Sequence, residues 1–379
     1  MELTTLEYTR EGGWSAPLPE WDSPGTLVVA FGAPEYRDDW TPFRQLAEAY
    51  PASHILGCST AGEIHGACLT DASVSVAVMR FRSVALRSAS APREGAEGSL
   101  ECARHVAREL AADDLRAVLV FSDGLDVNGS ELTRGFREVL PANVVVSGGL
   151  AADGDRFQHT WVVGPDGPGT ERITAVGLYG GALMVGHGSQ GGWDLFGPER
   201  RVTRSRNNVL FELDGRPALE LYKEYLGELA AGLPATGLLF PLALRRDAEE
   251  DASLVRTILS VDESDQSMTF AGDIPQGATV QLMRANFERL IDGAADAALE
   301  LGSVAQDGPT LCIGVSCVGR RLVLGERTEE EIEAVVETLG DGARQIGFYS
   351  YGEISPVADG RCDLHNQTMT LTTLAERAA

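Results

Sequence analysis

The chain repeats itself at an offset of 90 residues, which lays Leu27-Val28-Val29-Ala30-Phe31 on Ala117-Val118-Leu119-Val120-Phe121 and carries Glu63 onto Asp153 without a gap. In each copy an apolar run of strand length is followed by a polar loop and then by helical spacing, over residues 41–50 and 131–140. Pro51 and Pro141 end these helices, since proline lacks the amide that would continue them. A second apolar run, Ile55-Leu56 or Val144-Val145-Val146, then enters a glycine loop. A third and longer copy opens on Leu311-Cys312-Ile313-Gly314-Val315, is helical over residues 329–339 and leaves through Gln345-Ile346. Strand, crossover helix and strand favour parallel neighbours joined right-handedly.

The glycine loops of the first and third copies share the frame G-x-x-x-x-G-E-I, in residues 57–64 and 347–354. Glycine lets a backbone turn tightly or come close to another object. After each loop the apolar spacing changes to period two, over residues 73–81, in part over 173–185, and over 369–374, which reads as antiparallel strands covered on one face. The expected fold is therefore α/β with mixed sheets. Repeated strand–helix–strand units are followed by antiparallel strands, with helices outside and sheets packed inside.

A chain of 379 residues is too long for one ordinary core, and two or three domains are expected. Residues 1–25 read as a polar lead-in, and the main joint is placed at Glu212-Leu213-Asp214-Gly215-Arg216-Pro217, giving domains over 26–214 and 215–379. The formal charge of −25 repels phosphate backbones and anionic membranes, which argues against nucleic acid and membrane partners. With no leader-like N-terminus and no apolar run of spanning length, the expected location is the cytoplasm. Six cysteines without a C-x-x-C pair fit reduced thiols there, and the six histidines show no metal-ligand spacing. No phosphate-binding glycine motif is present, so no metal and no cofactor are expected.

Candidate binding residues follow from the loops. The first offers Cys58, Ser59, Thr60, Gly62 and Glu63; the second offers Gly148, Gly149 and Asp153; the third offers Tyr349, Ser350, Tyr351 and Glu353. Ser122 and Asp123 stand after an opening strand, where α/β sheets bind ligands, and His365 with Asn366 adds an imidazole and an amide. Backbone N–H groups at glycine turns suit a carboxylate, an acidic side chain suits an α-amino group, and a tyrosine covers an apolar portion. An amino acid or related small acid meets all three. Each carboxylate is equally suited to accepting backbone N–H groups in a packed turn. A thiol hydrolase or acyltransferase using Cys58, Cys317 or Cys362 with His365 is the enzyme alternative, and a ligand-free interaction scaffold is the third.

The frames at 57–64 and 347–356, the Ser147-Gly148-Gly149-Leu150-Ala151-Ala152-Asp153-Gly154 loop and Leu364-His365-Asn366-Gln367-Thr368 together resemble the FIST family, named for F-box and intracellular signal transduction proteins. Phe240-Pro241-Leu242, Arg256-Thr257-Ile258 and Gly272-Asp273-Ile274-Pro275 resemble the C-terminal half of that family, and the likeness covers the chain from about Leu27 to Leu374. It implies an intracellular sensory module that binds a small ligand, with an amino acid the usual proposal. With both halves filling the chain, the signal is expected to leave through a separate signalling protein or an oligomer. The family pattern supplies no catalytic residues.

Overall fold

The computed structural model describes residues 1–92, 95, 98–245, 254–302, 308–340, 342–357 and 360–377. The three expected repeats are present. In the first unit Thr26–Gly32 lies parallel to His54–Ser59, with helix Thr41–Ala49 between them in the chain, and Ser73–Arg80 runs antiparallel on the other side. The second unit repeats this with Leu115–Ser122, Gly129–Val139, Val145–Leu150 and Arg172–Tyr179. The third does so with Thr310–Cys317, Thr328–Leu339, Ala343–Ser350 and Met369–Glu376. Each helix buries one stripe on its sheet, through Phe43 and Leu46, Leu132 and Phe136, or Ile332 and Val335. The opening strands Thr26–Gly32 and Thr310–Cys317 are buried throughout because both their faces are covered.

The units exchange strands in a ring. The chain leaving the first unit's glycine loop forms Glu63–His65 on the third unit's sheet, beside Ala343–Ser350. The chain leaving the third forms Gly352–Pro356 beside Val145–Leu150 of the second, and the chain leaving the second forms Val162–Gly164 beside His54–Ser59 of the first. At the axis of the ring Phe31, Phe121 and Phe348 pack together, their ring centroids 4.6–5.7 Å apart. Apolar residues from all three sheets fill the space around them.

Two expectations, the lead-in and the ungapped alignment, are corrected. Residues 2–9 are not a lead-in: Glu2–Thr9 pairs along Ser73–Arg80, and Ala85–Pro92 and Leu183–Gln190 take the equivalent place in the other units. The stretch at 212–217 is a tight hairpin turning at Asp214 and Gly215, where Val209–Leu213 pairs with Arg216–Pro217. It lies inside an eight-stranded antiparallel sheet that begins at Trp193–Arg206 and ends at Thr279–Ala285, inserted between the first strand of the third unit and its helix Phe287–Glu300. Lastly, the ungapped alignment slips by one residue across the second helix. Gly57, Gly148 and Gly347 are the true counterparts, lying opposite Ala30, Val120 and Gly314.

Candidate functional site

The three corresponding glycines fix how closely the loops can sit. A Cβ on Gly57, Gly148 or Gly347 would overlap the backbone carbonyl of Ala30, Val120 or Gly314 on the adjoining strand. The loops they open then meet through backbone hydrogen bonds: Ala61 donates to Tyr349 (2.8 Å), Tyr349 to Gly62 (3.0 Å), Ala152 to Ser59 (3.0 Å) and Tyr351 to Leu150 (3.2 Å). Convergence of distant loops is thus real, and what they surround is packed side chain.

In the first and third units the exchanged strand carries a glutamate, Glu63 at its first position and Glu353 at its second. Glu63 accepts from the Thr60 hydroxyl, and from the amide (3.0 Å) and hydroxyl (3.1 Å) of Ser73. Glu353 accepts in the same pattern from the Ser350 hydroxyl (2.7 Å) and from the amide (3.2 Å) and hydroxyl (3.0 Å) of Thr368. Burial pushes each carboxyl up to about 8, against the lowering effect of these donors. Both glutamates tie a loop to the strand that follows it.

The second unit departs from this pattern. Its exchanged strand carries Val162 opposite Cys58, where the third unit's sheet has Glu63 opposite Phe348. Six residues separate the leading glycine from that position in the first and third units, Gly57 to Glu63 and Gly347 to Glu353, but fourteen separate Gly148 from Val162. The longer loop is held by other acids. Asp153 accepts from the amides of Gln158 (2.9 Å) and His159 (2.8 Å) and from the Tyr351 hydroxyl, while Asp123 accepts from the Thr160 hydroxyl and the Glu171 amide (2.8 Å).

This extension forms one wall of a cavity of about 670 Å³. Arg156, Phe157 and Gln158 come from the extended loop; Asp126, Asn128 and Glu131 come from the turn between Leu115–Ser122 and its helix; Arg206, Asn207 and Leu259 face them from the inserted sheet. The cavity therefore lies beyond the carboxyl ends of two parallel strands, the usual ligand position in such sheets. Asp126, Phe157 and Asn207 have φ of 50°, 52° and 53°. Asparagine in a hairpin turn tolerates that region, but an aromatic residue rarely occupies it. Phe157 is kept there by stacking on Tyr351, with centroids 4.7 Å apart and planes 9° from parallel.

The wall carries both signs of charge. Arg206 is exposed and makes no salt bridge among the described residues. Arg156 donates through Nε to the Asp153 carbonyl (2.6 Å) and through Nη1 to Glu35 (2.5 Å). Glu131 pairs with Arg134 at 3.1 Å. Asn128 joins the two walls, accepting from the Glu131 amide (3.1 Å) and donating to Asp273 of the inserted sheet (2.7 Å). Arginine suits a carboxylate, acids suit an ammonium group, and Leu125, Phe157 and Leu259 supply apolar cover.

Among the sequence-based candidates, Cys58, Ser59, Thr60, Gly62, Glu63, Gly148, Gly149, Tyr349, Ser350 and Glu353 are buried at the junction of the loops. Ser122, Asp123, Asp153 and Tyr351 are buried directly behind the extended loop. These residues do not line that cavity; His365 and Asn366 line another, of about 740 Å³. Arg156, Phe157 and Arg206 escaped the sequence reading, although the long polar interval between Asp153 and Val162 marks the loop as unlike its counterparts. Burial raises Cys58 and Cys317 well above the ordinary thiol value and lifts Cys362 to about 12. Nucleophilic thiolates need the opposite shift. Among the described residues no cluster of three or more His, Cys, Asp or Glu is placed to hold a metal, and no helix is long and apolar enough to cross a membrane.

Comparison with known proteins adds three findings. The family model for the FIST N domain matches residues 26–216, and that for the FIST C domain matches residues 218–356. An uncharacterized protein of Methanocaldococcus jannaschii is 25% identical over 346 residues, which is 82% of this chain and 62% of that protein, so the chain spans under two thirds of the relative's length. The crystal structure of a cyanuric acid hydrolase from A. caulinodans aligns with 100% of this chain and 99% of its own at 10% identity, with a TM-score of 0.38. So distant a likeness bears on neither activity nor site.

Proposed function

This chain belongs to the FIST family, and from that premise we propose that it senses a small zwitterion, an amino acid or a related small acid, in the cavity between the second unit and the inserted sheet. FIST domains are generally sensory and signal-transduction domains, and a sensor needs a ligand pocket that spans parts able to shift against each other. The observation that carries the reading is the break in the repeat. Where two loops are closed by a buried glutamate, the third is lengthened, holds an aromatic residue at positive φ and walls a cavity bearing arginines and acids. Backbone strain of this kind gathers at functional sites.

In this reading Arg206 and Arg156 take the ligand carboxylate, Asp126 and Glu131 take the ammonium group, and Phe157 covers the side chain. Binding draws the inserted sheet towards the second unit, and a separate signalling protein reads the change. A thermal-shift screen of the twenty amino acids and of small mono- and dicarboxylic acids tests it, because a ligand that binds only the folded state raises Tm by mass action. The expected result is a saturable rise for a subset of the panel that is lost in Arg206→Ala. No response across the panel overturns the reading.

A further inference from the structure

The second large cavity, of about 740 Å³, opens where the inserted sheet departs from the ring at Gly191, Gly192 and Trp193. Met283 and Val255 face it from the inserted sheet, His187 and Glu300 from the third unit, and His365 and Asn366 from the end of Cys362–His365, an edge strand of the second unit's sheet. Its chemistry differs from that of the first cavity. No Lys or Arg lines it among the described residues. The Glu300 carboxylate accepts from the Ser189 amide (3.0 Å) and the Gln190 side chain (2.5 Å) and makes no salt bridge among the described residues. Burial lowers the pKa of His187 and of His365, which keeps both imidazoles neutral near pH 7.

Asn366 is the group that asks for a partner. Its side chain is only 1% exposed, and its Oδ1 accepts from the Thr257 amide at 3.3 Å. That donor decides which end of the amide is oxygen, so the Nδ2 hydrogens point elsewhere, and Nδ2 has no acceptor among the described residues. Buried amide donors are nearly always satisfied, because leaving one unpaired costs about 1–3 kcal/mol. Nearby, the Trp193 indole, itself 6% exposed, is held in place by its N–H to the Gln367 carbonyl (3.0 Å). An unpaired donor, an aromatic ring, a thioether and a solvent-exposed carboxylate mark the wall.

We infer that this second cavity binds an uncharged small molecule in which a planar ring carries a carbonyl group, with Asn366 donating to the carbonyl and Trp193 and Met283 packing on the ring. An anionic acid meets the like charge of Glu300, and a zwitterion finds no cation among the described residues. The site is independent of the amino-acid reading of the first cavity.

Benzamide and benzoate, which share a ring and differ in charge, are the probes. Titration of the full chain at pH 7.5, followed by calorimetry and tryptophan fluorescence, is expected to give saturable binding of benzamide and at least tenfold weaker binding of benzoate. Asn366→Ala should weaken benzamide about tenfold, the worth of one neutral hydrogen bond. His187→Trp, on a half-buried edge strand, should block it by filling the cavity while the Tm without ligand stays near that of the parent, which serves if Asn366→Ala fails to fold. Arg206→Ala should leave benzamide binding unchanged, which separates this site from the first cavity. Failure of benzamide to bind the parent, equal binding of benzoate, or unchanged affinity in either cavity variant overturns the inference.

Discussion

The first and third glycine loops differ from the second in what fills the same place in the ring. Glu63 and Glu353 each stand six residues after the leading glycine and close their loops with three buried hydrogen bonds. The second loop reaches the equivalent position, Val162, only after fourteen residues, and the excess holds Arg156, Phe157 and Gln158 against a cavity. The tight loops are built for stability and the long one is released from it. Real sequences depart from local consistency where function requires it, and here the departure can be measured against two intact copies in the same chain.

The most severe test of that equivalence is Gly57→Ala, Gly148→Ala and Gly347→Ala made singly. Each methyl would overlap a backbone carbonyl, which cannot move aside as a side-chain tip can. Each variant should lose at least about 3 kcal/mol in urea unfolding, or fail to fold. If one glycine tolerates alanine and the other two do not, the three loops are not mechanical equivalents.

The tight loops also predict a pH dependence. In the native chain Glu63 and Glu353 hold their protons up to about pH 8, whereas an ordinary glutamate releases its proton near 4.5. Between those values the native state binds more protons than the unfolded state, so this part of the stability is complete below about pH 4.5, declines as pH rises and is lost above about pH 8. Glutamine mimics the protonated carboxyl, its nitrogen facing the Thr60 or Ser350 hydroxyl and its oxygen still accepting from Ser73 or Thr368. The double variant Glu63→Gln, Glu353→Gln should lack that slope, gaining at least about 2 kcal/mol on the parent between pH 5 and pH 8 in urea titrations. Parallel stability profiles for parent and variant would show that the two carboxyls titrate normally.

The repeat itself was legible because apolar runs, helical spacing and proline stops are local signals; they place Thr26–Gly32 and Gly129–Val139 within a residue or two and mark the middle of Ala343–Ser350. The exchange of strands between units was not. Which sheet receives Glu63–His65 is decided by non-local packing, and nothing within that segment names its partner. The reading of Ser122 and Asp123 named the strand end beside which the first cavity opens, since it rests on a rule about strand ends. It stopped short of Asp126 and Asn128, which line the cavity, because turn residues carry no period. The ungapped alignment of Glu63 with Asp153 hid the longer loop, since one acid stood in for another while the true counterpart, Val162, lay beyond it. Arg206 could not be found at all from sequence: it faces the cavity only because the hairpin that turns at Asn207 belongs to the inserted sheet.

For the long loop the expected effects fall on ligand rather than on fold. Arg206→Ala removes an exposed guanidinium with no salt bridge among the described residues, so unfolding should change by no more than about 0.5 kcal/mol. Affinity for the amino acid or acid that scores in the thermal screen should fall about tenfold to a hundredfold, the worth of a charged hydrogen bond. Equal affinity for parent and variant would move the carboxylate away from Arg206.

The smallest effect is expected where the long loop meets the first unit. Arg156 pairs with Glu35 at 2.5 Å, with side chains 44% and 45% exposed, so solvent screens the pair and it contributes well under about 1 kcal/mol. Glu35→Gln should hardly change the urea midpoint at any pH, in contrast to substitutions at Glu63 or Glu353. It removes a competing carboxylate from Arg156, which remains held through Nε by the Asp153 carbonyl and turns more of its charge towards the cavity. Carboxylate ligands should then bind a few-fold tighter at low ionic strength, and the gain should shrink as salt is added. A gain that ignores salt, or a loss of stability matching that of the buried glutamates, would place this loop with the tight ones and dissolve the distinction between holding the ring together and reading a ligand.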